Sequence, residues 1–372
     1  MSYKKIHSIG WILLFIISTL TISSCSNTIP TTKIITQEKR TEPAIKPKTI
    51  HTPISPIQVS YQKGINILLY GNYPNVKEMS VNLFSKLRKI GINSISINFP
   101  FYMDNLYASN VYTGQSTPTN KELLTILTVA HSFGFSTNLR PILDEKNLKK
   151  AQSNGWRGAI QPQNIANWFQ SYTSMIVHYA TLLQSMKGSI LTIGVELNSM
   201  EQYTGYWNTL IQKVRSVFTG EITYSSNWYP QLVSSNVQFW RKLNFISTDL
   251  FVPVQGPSVV NMISSWKPYL STLKQAYKQY NMPIVVTELG ATSQQGSYSK
   301  PWIWNNNKTY SSSSQADYYK AAFTALGSLP FVKGIYIWDV PFNQILSNYN
   351  PNTDIGYNPL GKEAENIIQE NF

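Results

Sequence analysis

Two glutamates stand at the ends of short apolar runs and could form a pair of catalytic carboxyl groups. Glu196 follows the run ILTIGV at 190–195, and Glu288 lies in the run PIVVTELG at 283–290. Such aliphatic runs are typical of strands that are covered on both faces, as in a parallel sheet. Two carboxyl groups at one edge of a sheet can divide proton transfer and nucleophilic attack between them. For either glutamate alone, the alternative is a polar residue that closes a strand.

The apolar pattern predicts the elements that would hold these glutamates. Strand patterns cover 65–70, 94–99, 136–143, 190–196, 222–227, 245–251, 284–288 and 334–339, and helical patterns cover 76–90, 121–133, 164–186, 206–218, 260–279 and 315–326. Eight strands alternating with helices favour a closed (β/α)8 TIM barrel over an open doubly wound sheet. A glycine-rich phosphate loop is absent after the first strand, where the sequence is YGNY. Glu196 would end the fourth strand and Glu288 the seventh, so both would face the mouth where barrel active sites lie.

Further polar and aromatic residues fall at the predicted strand ends. They are Asn98, Arg140, Asn227, Trp228, Asp249 and Trp338. Two carboxyl groups about 5 Å apart suit a retaining glycosidase, and the residues around them would bind the sugar. Arg140 would keep a nucleophilic carboxylate ionised, or else form an ion pair that only closes the barrel top. Trp338 would form a floor under the sugar at the cleavage point, or else pack in the core.

The segment 293–314 is a second source of aromatic side chains. Trp302 and Trp304 in it would form an aromatic wall for sugar subsites, and a flexible polar surface loop is the alternative for its Asn- and Ser-rich part. The chain has ten Trp and 23 Tyr, more than a core needs, and such a surplus is used to stack on flat ligand faces. Its four histidines lie at unrelated positions and it has no GxSxG motif. We therefore expect no metal, no cofactor and no serine nucleophile.

The first 24 residues resemble a bacterial lipoprotein signal peptide. Lys4 and Lys5 precede the apolar run 9–20, and the following ISSC at 22–25 is similar to a lipobox. Cys25, the single cysteine of the chain, would be lipidated and would anchor the protein to the extracytoplasmic face of the cell membrane. Residues 25–60 are rich in Pro, Thr, Lys and Ser, which predicts an extended tether. Residues 61–372 would then form one barrel domain.

The composition and charge of the chain limit the kinds of partner that it could bind. The 372 residues are 42% hydrophobic and carry a formal charge of +13, enough apolar content for one large core. No basic stripe, zinc spacing or aromatic-basic RNA motif accompanies the charge, which argues against a nucleic-acid partner. A diffuse positive charge suits a negatively charged cell wall or membrane surface. We expect a monomer.

The motifs around the two glutamates resemble those of a known family. The two glutamates and the strand-eight Trp resemble glycoside hydrolase clan A, and the stretch 194–228 more narrowly resembles glycoside hydrolase family 113, whose members are mainly β-mannanases. The matching positions are Glu196 as acid-base in a GxEL-like segment, Asn227-Trp228 at the end of strand five, Glu288 as nucleophile in TELG, Pro301-Trp302, and Asp249 to Pro253 at the end of strand six. The resemblance covers about residues 60–365.

Two positions depart from the pattern. Many clan members have Asn directly before the acid-base Glu, where this chain has Val195, and Phe251 replaces a tyrosine that would bond the nucleophile. Neither change removes a catalytic carboxyl group. The resemblance implies a cofactor-independent retaining endo-β-1,4-mannanase that acts on a polysaccharide or oligosaccharide. The alternatives are a hydrolase of another β-glycan or cell-wall glycan, and a non-catalytic carbohydrate-binding envelope lipoprotein.

Overall fold

The structure is a computed structural model, and it describes residues 58–228, 237–304, 309–345 and 349–372. The predicted signal peptide at 1–24, Cys25 and nearly all of the predicted tether lie outside the described residues. Within the described ranges, no helix is both long enough and apolar enough to cross a membrane.

Eight parallel strands pair in chain order and close into a barrel, which confirms the predicted (β/α)8 fold. The strands are β1 (Gln62–Leu68), β2 (Ser94–Phe101), β3 (Ser136–Leu143), β4 (Ile190–Val195), β5 (Glu221–Ser226), β6 (Ile246–Asp249), β7 (Ile284–Leu289) and β8 (Val332–Pro341). The β1 pairing with β8 closes the ring, so no strand of the barrel has a free edge.

Helices follow the strands and cover the outside of the barrel. They are α1 (Val76–Lys89), α2 (Asn120–Ser132), α3 (Lys146–Ala151), α4 (Ile165–Ser185), α5 (Thr204–Arg215), α6 (Val259–Ser265), α7 (Lys267–Tyr280), α8 (Ser312–Gly327) and α9 (Glu363–Asn371). The predicted helix at 260–279 is wrong in its continuity, because the chain breaks at Trp266 between α6 and α7. Pro268 lies in the first turn of α7, where its missing N–H costs no hydrogen bond.

Local sequence explains where the helices that frame the site begin. Thr119 and Glu122 form a capping box that starts α2, with the threonine hydroxyl accepting from the glutamate N–H and the glutamate carboxylate accepting from the threonine N–H. Asn164 accepts from the N–H of Asn167 at the start of α4. The apolar face of α4, which includes Trp168 and Tyr172, is buried against the barrel.

The barrel interior is filled by side chains in layers. Tyr336 packs with Ile190, Phe245 and Val285 in one cluster. Gly64 faces the ring of Tyr336, and a Cβ there would stand 2.3 Å from a ring carbon, so only glycine fits. With the interior closed by side chains, the space for a ligand lies at the carboxyl ends of the strands.

Candidate active site

The strands bring the two predicted catalytic glutamates to the same mouth of the barrel. Glu288 lies on β7 and pairs in register with Asp249 of β6. Glu196 follows the last residue of β4, after an irregularity in the pairing of β4 with β5, and has a φ of 50°. This left-handed backbone is uncommon for a non-glycine residue and is typical of functional sites. The glutamate side chains are 17% exposed for Glu196 and 6% for Glu288.

Arg140 joins Glu288 to Asp249 at the base of the mouth. One terminal nitrogen of its guanidinium donates to Glu288 Oε1 at 2.5 Å, and the other donates to both carboxylate oxygens of Asp249 at 2.9 Å. Arg140 and Asp249 are completely buried. A buried guanidinium between two buried carboxylates compensates their charge and fixes the orientation of Glu288.

A second set of polar side chains holds Arg140 itself. Arg140 donates to Asn98 Oδ1 and to Ser225 Oγ, each at 3.0 Å. Asn98 in turn donates to Asn66 Oδ1 at 3.0 Å, and Ser225 lies 2.5 Å from the hydroxyl of Thr287. Asn98 is completely buried, so in this structure it contacts the arginine rather than the open cleft. Sequence reasoning missed Asn66, Ser225 and Thr287, although polar residues inside otherwise apolar strands are a signal that could have found them.

Glu196 has a different set of neighbours. Arg157, on a 3-10 turn at Arg157–Ala159, places a terminal nitrogen 3.5 Å from Glu196 Oε2. The N–H of Leu197 donates to the hydroxyl of Tyr224, which donates to Glu201 Oε1 at 2.9 Å. Burial is the main reason that the pKa of Glu201 is raised to about 7. No sequence pattern pointed to Arg157 or Glu201.

The two glutamates differ in how far each lies from its arginine partner. Burial, followed by the charge of Asp249, raises the pKa of Glu196 to about 7, against the charges of Arg157 and Arg140. Burial and then Asp249 also raise the pKa of Glu288 well above its usual range, against the charge of Arg140. Glu288 accepts a hydrogen bond from its arginine at 2.5 Å, whereas the guanidinium of Arg157 is 3.5 Å from Glu196. The ionised form is therefore more closely compensated at Glu288 than at Glu196.

One short segment, residues 301–304, supplies aromatic rings to two sides of the mouth. Trp302 stacks on Trp228, which follows β5, with ring centroids 5.9 Å apart. Trp304 meets Trp338 of β8 edge to face at 6.5 Å. Trp302 is 43% exposed and Trp304 53%, so both offer ring surface to a ligand. Asn227 is partly buried at the end of β5, next to Trp228.

The chain after β8 braces this segment from behind. Tyr357 donates its hydroxyl proton to the carbonyl of Pro301 at 2.5 Å, and its ring packs against Trp304 at 4.8 Å. The N–H of Ser293 donates to the carbonyl of Gly356 at 3.0 Å. The position of the two tryptophans therefore depends on contacts made far along the chain.

A cavity of about 340 Å³ is lined in part by Arg157, the residue that contacts Glu196. It is lined by Leu68, Tyr70, Tyr73, Ile142, Arg157, Trp304, Trp338, Pro341 and Asn343. Its volume falls in the range of small-molecule sites, and aromatic side chains with a few polar groups are a usual lining for sugars.

The two departures from the family pattern belong to one apolar cluster. Val195 and Phe251 are buried in a cluster with Ile142, Trp338 and Tyr357. Where the family pattern has polar side chains beside the catalytic glutamates, this chain has apolar packing behind Trp338. Trp338 is 8% exposed, so it both packs in this cluster and lines the cavity.

Among the described residues, no cluster of three or more His, Cys, Asp or Glu has the arrangement of a metal site. The two predicted catalytic glutamates instead form ion pairs with arginines. The site therefore offers two carboxyl groups whose pKa values are raised by burial, one of them hydrogen-bonded to an arginine, together with the exposed rings of Trp302 and Trp304.

Comparison with known proteins gives matches in sequence and in fold. The model of Glycoside Hydrolase Family 113 matches residues 71–362. A solved complex of a family 113 β-1,4-mannanase superposes with a TM-score of 0.74 at 23% identity, covering 84% of this chain and 99% of that chain. A family 113 β-mannanase from Alicyclobacillus acidocaldarius gives 0.73 at 22% identity, covering 85% and 98%. A β-glucuronidase from Ruminococcus gnavus gives 0.57 at 10% identity, covering 84% and 50%. Comparison with curated proteins gives no match.

Proposed function

This chain belongs to glycoside hydrolase family 113, and we propose that it is a retaining β-glycosidase that cleaves β-1,4-mannosidic linkages in mannan-type polysaccharides. Family membership agrees with the resemblance seen in the sequence and supports a glycosidase that acts on a carbohydrate. The observation that carries the mechanism is the unequal pairing of the two glutamates, Glu288 with Arg140 at 2.5 Å and Glu196 with Arg157 at 3.5 Å.

We assign Glu288 as the nucleophile and Glu196 as the acid-base residue. A short charge-assisted hydrogen bond from Arg140 favours an ionised acceptor, so Glu288 is the group that attacks. A pKa of about 7 leaves Glu196 with its proton below neutral pH, as a general acid requires. Burial raises the pKa of both carboxyl groups, and we place the proton that they share on Glu196 because Glu288 has the closer cationic partner.

Two displacements at the anomeric carbon then give hydrolysis with retention. In the first, a Glu288 oxygen bonds to the anomeric carbon, the glycosidic bond breaks, and Glu196 gives its proton to the departing oxygen. In the second, Glu196 takes a proton from water, the water oxygen bonds to the anomeric carbon, and the bond to Glu288 breaks. Arg140, with Asn98 and Asp249 around it, keeps Glu288 oriented in both steps.

The aromatic rings support a chain-like substrate. Trp338 lines the cavity, where its indole face can stack under a sugar ring. Trp302 and Trp228 form a second aromatic surface, which suits a further sugar unit of a polymer. Mannan is proposed because one similar solved structure is described as a β-1,4-mannanase and another as a β-mannanase.

A second candidate is the same reaction on another β-glycan. The observation that favours it is the apolar cluster of Val195, Phe251 and Trp338, which replaces polar side chains at the cleavage point. Polar contacts that would select one sugar are thereby lost, and a site without them is expected to discriminate sugars less strongly.

We further propose that the barrel is anchored by a lipid on Cys25 at the extracytoplasmic face of a bacterial membrane and acts there as a monomer. The support is the sequence alone, an apolar run followed by a lipobox-like ISSC motif and a Pro-rich tether.

Mutants of the two glutamates test the mechanism. Wild-type protein is first incubated with mannans, glucans and cell-wall glycans, and new reducing ends are measured. Glu288→Gln should lose turnover on every substrate that the wild type cleaves. Glu196→Ala should lose far less on an activated aryl β-mannoside or manno-oligoside than on mannan, because an aryl leaving group departs without a proton. Added azide should give a β-glycosyl azide with Glu196→Ala. An α-azide, or equal losses without rescue, would refute the retaining mechanism.

A further inference from the structure

Arg157 reaches the acid-base residue from outside the barrel strands. It lies on the 3-10 turn Arg157–Ala159 between α3 and α4, lines the cavity, and places a terminal nitrogen 3.5 Å from Glu196 Oε2. The mechanism assigned above uses the distance of Arg157 from Glu196 to tell the two glutamates apart, but gives Arg157 no role in the two displacements. A cation 3.5 Å from a carboxyl group that must both give and take a proton is nevertheless well placed to influence that group.

The Arg157 side chain is held on its far side by Glu145. The guanidinium Nε of Arg157 is 3.3 Å from Glu145 Oε1, and the backbone N–H of Arg157 donates to the same oxygen at 3.4 Å. The other oxygen of Glu145 pairs with Lys149 at 2.7 Å. Glu145 thus contacts both the backbone and the side chain of Arg157, while a terminal nitrogen of Arg157 lies near Glu196.

The turn that carries Arg157 is joined to the loop that follows Glu196. Ser199 in that loop donates its hydroxyl proton to the carbonyl of Ile160 at 2.6 Å. Gly158 lies under the indole of Trp156, and a Cβ there would stand 2.2 Å from a ring carbon. The distance between Arg157 and Glu196 is therefore set by packing and hydrogen bonds on both sides, rather than by a free surface side chain.

Other charged groups act on Glu196 at the same time. Those that face it are Arg140 of β3, Glu145 and Arg157 after β3, Glu201 after β4, Asp249 of β6 and Glu288 of β7. Burial and Asp249 raise the pKa of Glu196, and Arg157 is the strongest of the groups that lower it.

We propose that Arg157 is a positioning residue: it orients one carboxyl oxygen of Glu196 and stabilises the ionised form of Glu196 between the two displacements. This inference rests on the proposed retaining function. After the first displacement Glu196 has lost its proton to the leaving group and is a carboxylate. It must remain so until it takes a proton from the attacking water, and the nearby guanidinium favours that state.

The pH dependence of kcat/KM on mannan tests the inference. Loss of activity at high pH follows the deprotonation of Glu196, since a polysaccharide leaving group needs its proton. Arg157→Gln should move this alkaline limb upward by about one pH unit, because loss of the cation makes the carboxyl group harder to ionise. Arg157→Lys should return the alkaline limb most of the way to its wild-type position. Its kcat should be lower than that of the wild type, because an ammonium group cannot contact Glu145 and Glu196 together as a guanidinium does.

Two neighbouring substitutions make the test specific. Glu145→Gln should move the alkaline limb downward, because it removes a negative charge near Glu196 and leaves Arg157 less compensated. Lys149→Gln is the matched control, since Lys149 is 58% exposed and pairs with Glu145 without reaching Glu196, and its limb should not move. Circular dichroism and thermal unfolding of each variant check the fold.

The results separate this inference from the proposed function. Opposite shifts for Arg157→Gln and Glu145→Gln support it, and either one supports it if the other variant does not fold. Mannan hydrolysis by Arg157→Gln with an unmoved alkaline limb, or with a uniform loss at all pH values, overturns the inference and leaves the function standing. No release of reducing ends by the wild type from any glycan would overturn the function itself.

Discussion

Replacing Arg140 by methionine should separate the electrostatic role of this arginine from its bulk. Methionine has a similar unbranched length and no charge, so the variant leaves Glu288 and Asp249 buried without their shared cation. Breaking a buried ion pair by removing one partner costs about 3–5 kcal/mol of stability. The stability loss should be of this size near neutral pH.

The same change should lower activity through the ionisation of the nucleophile. Loss of an opposite charge in direct contact raises a carboxyl pKa by about 1–3 units. Each unit by which the pKa of Glu288 exceeds the assay pH lowers its ionised fraction about tenfold. We therefore expect Arg140→Met to lose up to about 1000-fold in kcat/KM on the acidic side of its pH profile, with recovery as the pH rises.

The assay is the pH profile of kcat/KM on an activated aryl glycoside, for which Glu196 need not be protonated in the first displacement. The acidic limb of Arg140→Met should lie at higher pH than that of the wild type. In urea unfolding, adding Asp249→Asn should restore part of the lost stability by removing one of the two uncompensated carboxylates. A uniform loss of activity with an unmoved acidic limb would refute this account and leave Arg140 a purely structural residue.

Three further predictions concern the rest of the chain. Trp302→Ala should lose activity on long oligosaccharides and keep it on short ones, since the stacking surface that Trp302 shares with Trp228 is worth about 1 kcal/mol per contact. Trp304→Ala should lose activity on long and short oligosaccharides alike, because Trp304 contacts Trp338. Equal losses for the two variants on each substrate would argue against separate roles for the two tryptophans. Glu201→Gln should flatten the pH dependence of stability, because a carboxyl group whose pKa is raised from 4.5 to about 7 stays protonated in the folded protein while it ionises in the unfolded chain. The wild type should therefore lose up to about 3 kcal/mol of its free energy of unfolding as the pH rises from 4.5 to about 7. The same pH dependence of urea unfolding in both proteins would contradict the prediction. Cys25→Ser should abolish lipid labelling and leave the membrane fraction without the protein, and continued labelling would exclude the anchor.

The strands of the barrel were predictable because their pattern is local. The prediction for β3 at 136–143 agrees with Ser136–Leu143, and β4 differs only in that Glu196 lies just beyond Val195. The break between α6 and α7 was not predicted, although Pro268, which is best placed in a first turn, was a signal for it. The six-residue helix α3 was missed because it is too short to show a helical period.

The site was predictable in its residue types and not in its contacts. Periodicity places Arg140 and Asp249 at strand ends. It does not indicate that the guanidinium of Arg140 contacts both carboxylate oxygens of Asp249, 109 residues further along the chain. Arg157 and Glu145 lie on a connection without regular pattern, so nothing in the sequence indicates that they reach Glu196. Such contacts depend on loop conformation, which is set by the packing of the whole barrel.

The bracing of residues 301–304 by the chain after β8 has a consequence for engineering. Loop grafting between related barrels usually treats each loop as a module that ends at its flanking strand and helix. Here Trp302 and Trp304 take their position from Tyr357, beyond the last strand, so a graft of residues 293–311 alone would arrive without its support. A chimera that is to inherit the substrate range of this enzyme must therefore exchange that loop and the segment around 354–358 together.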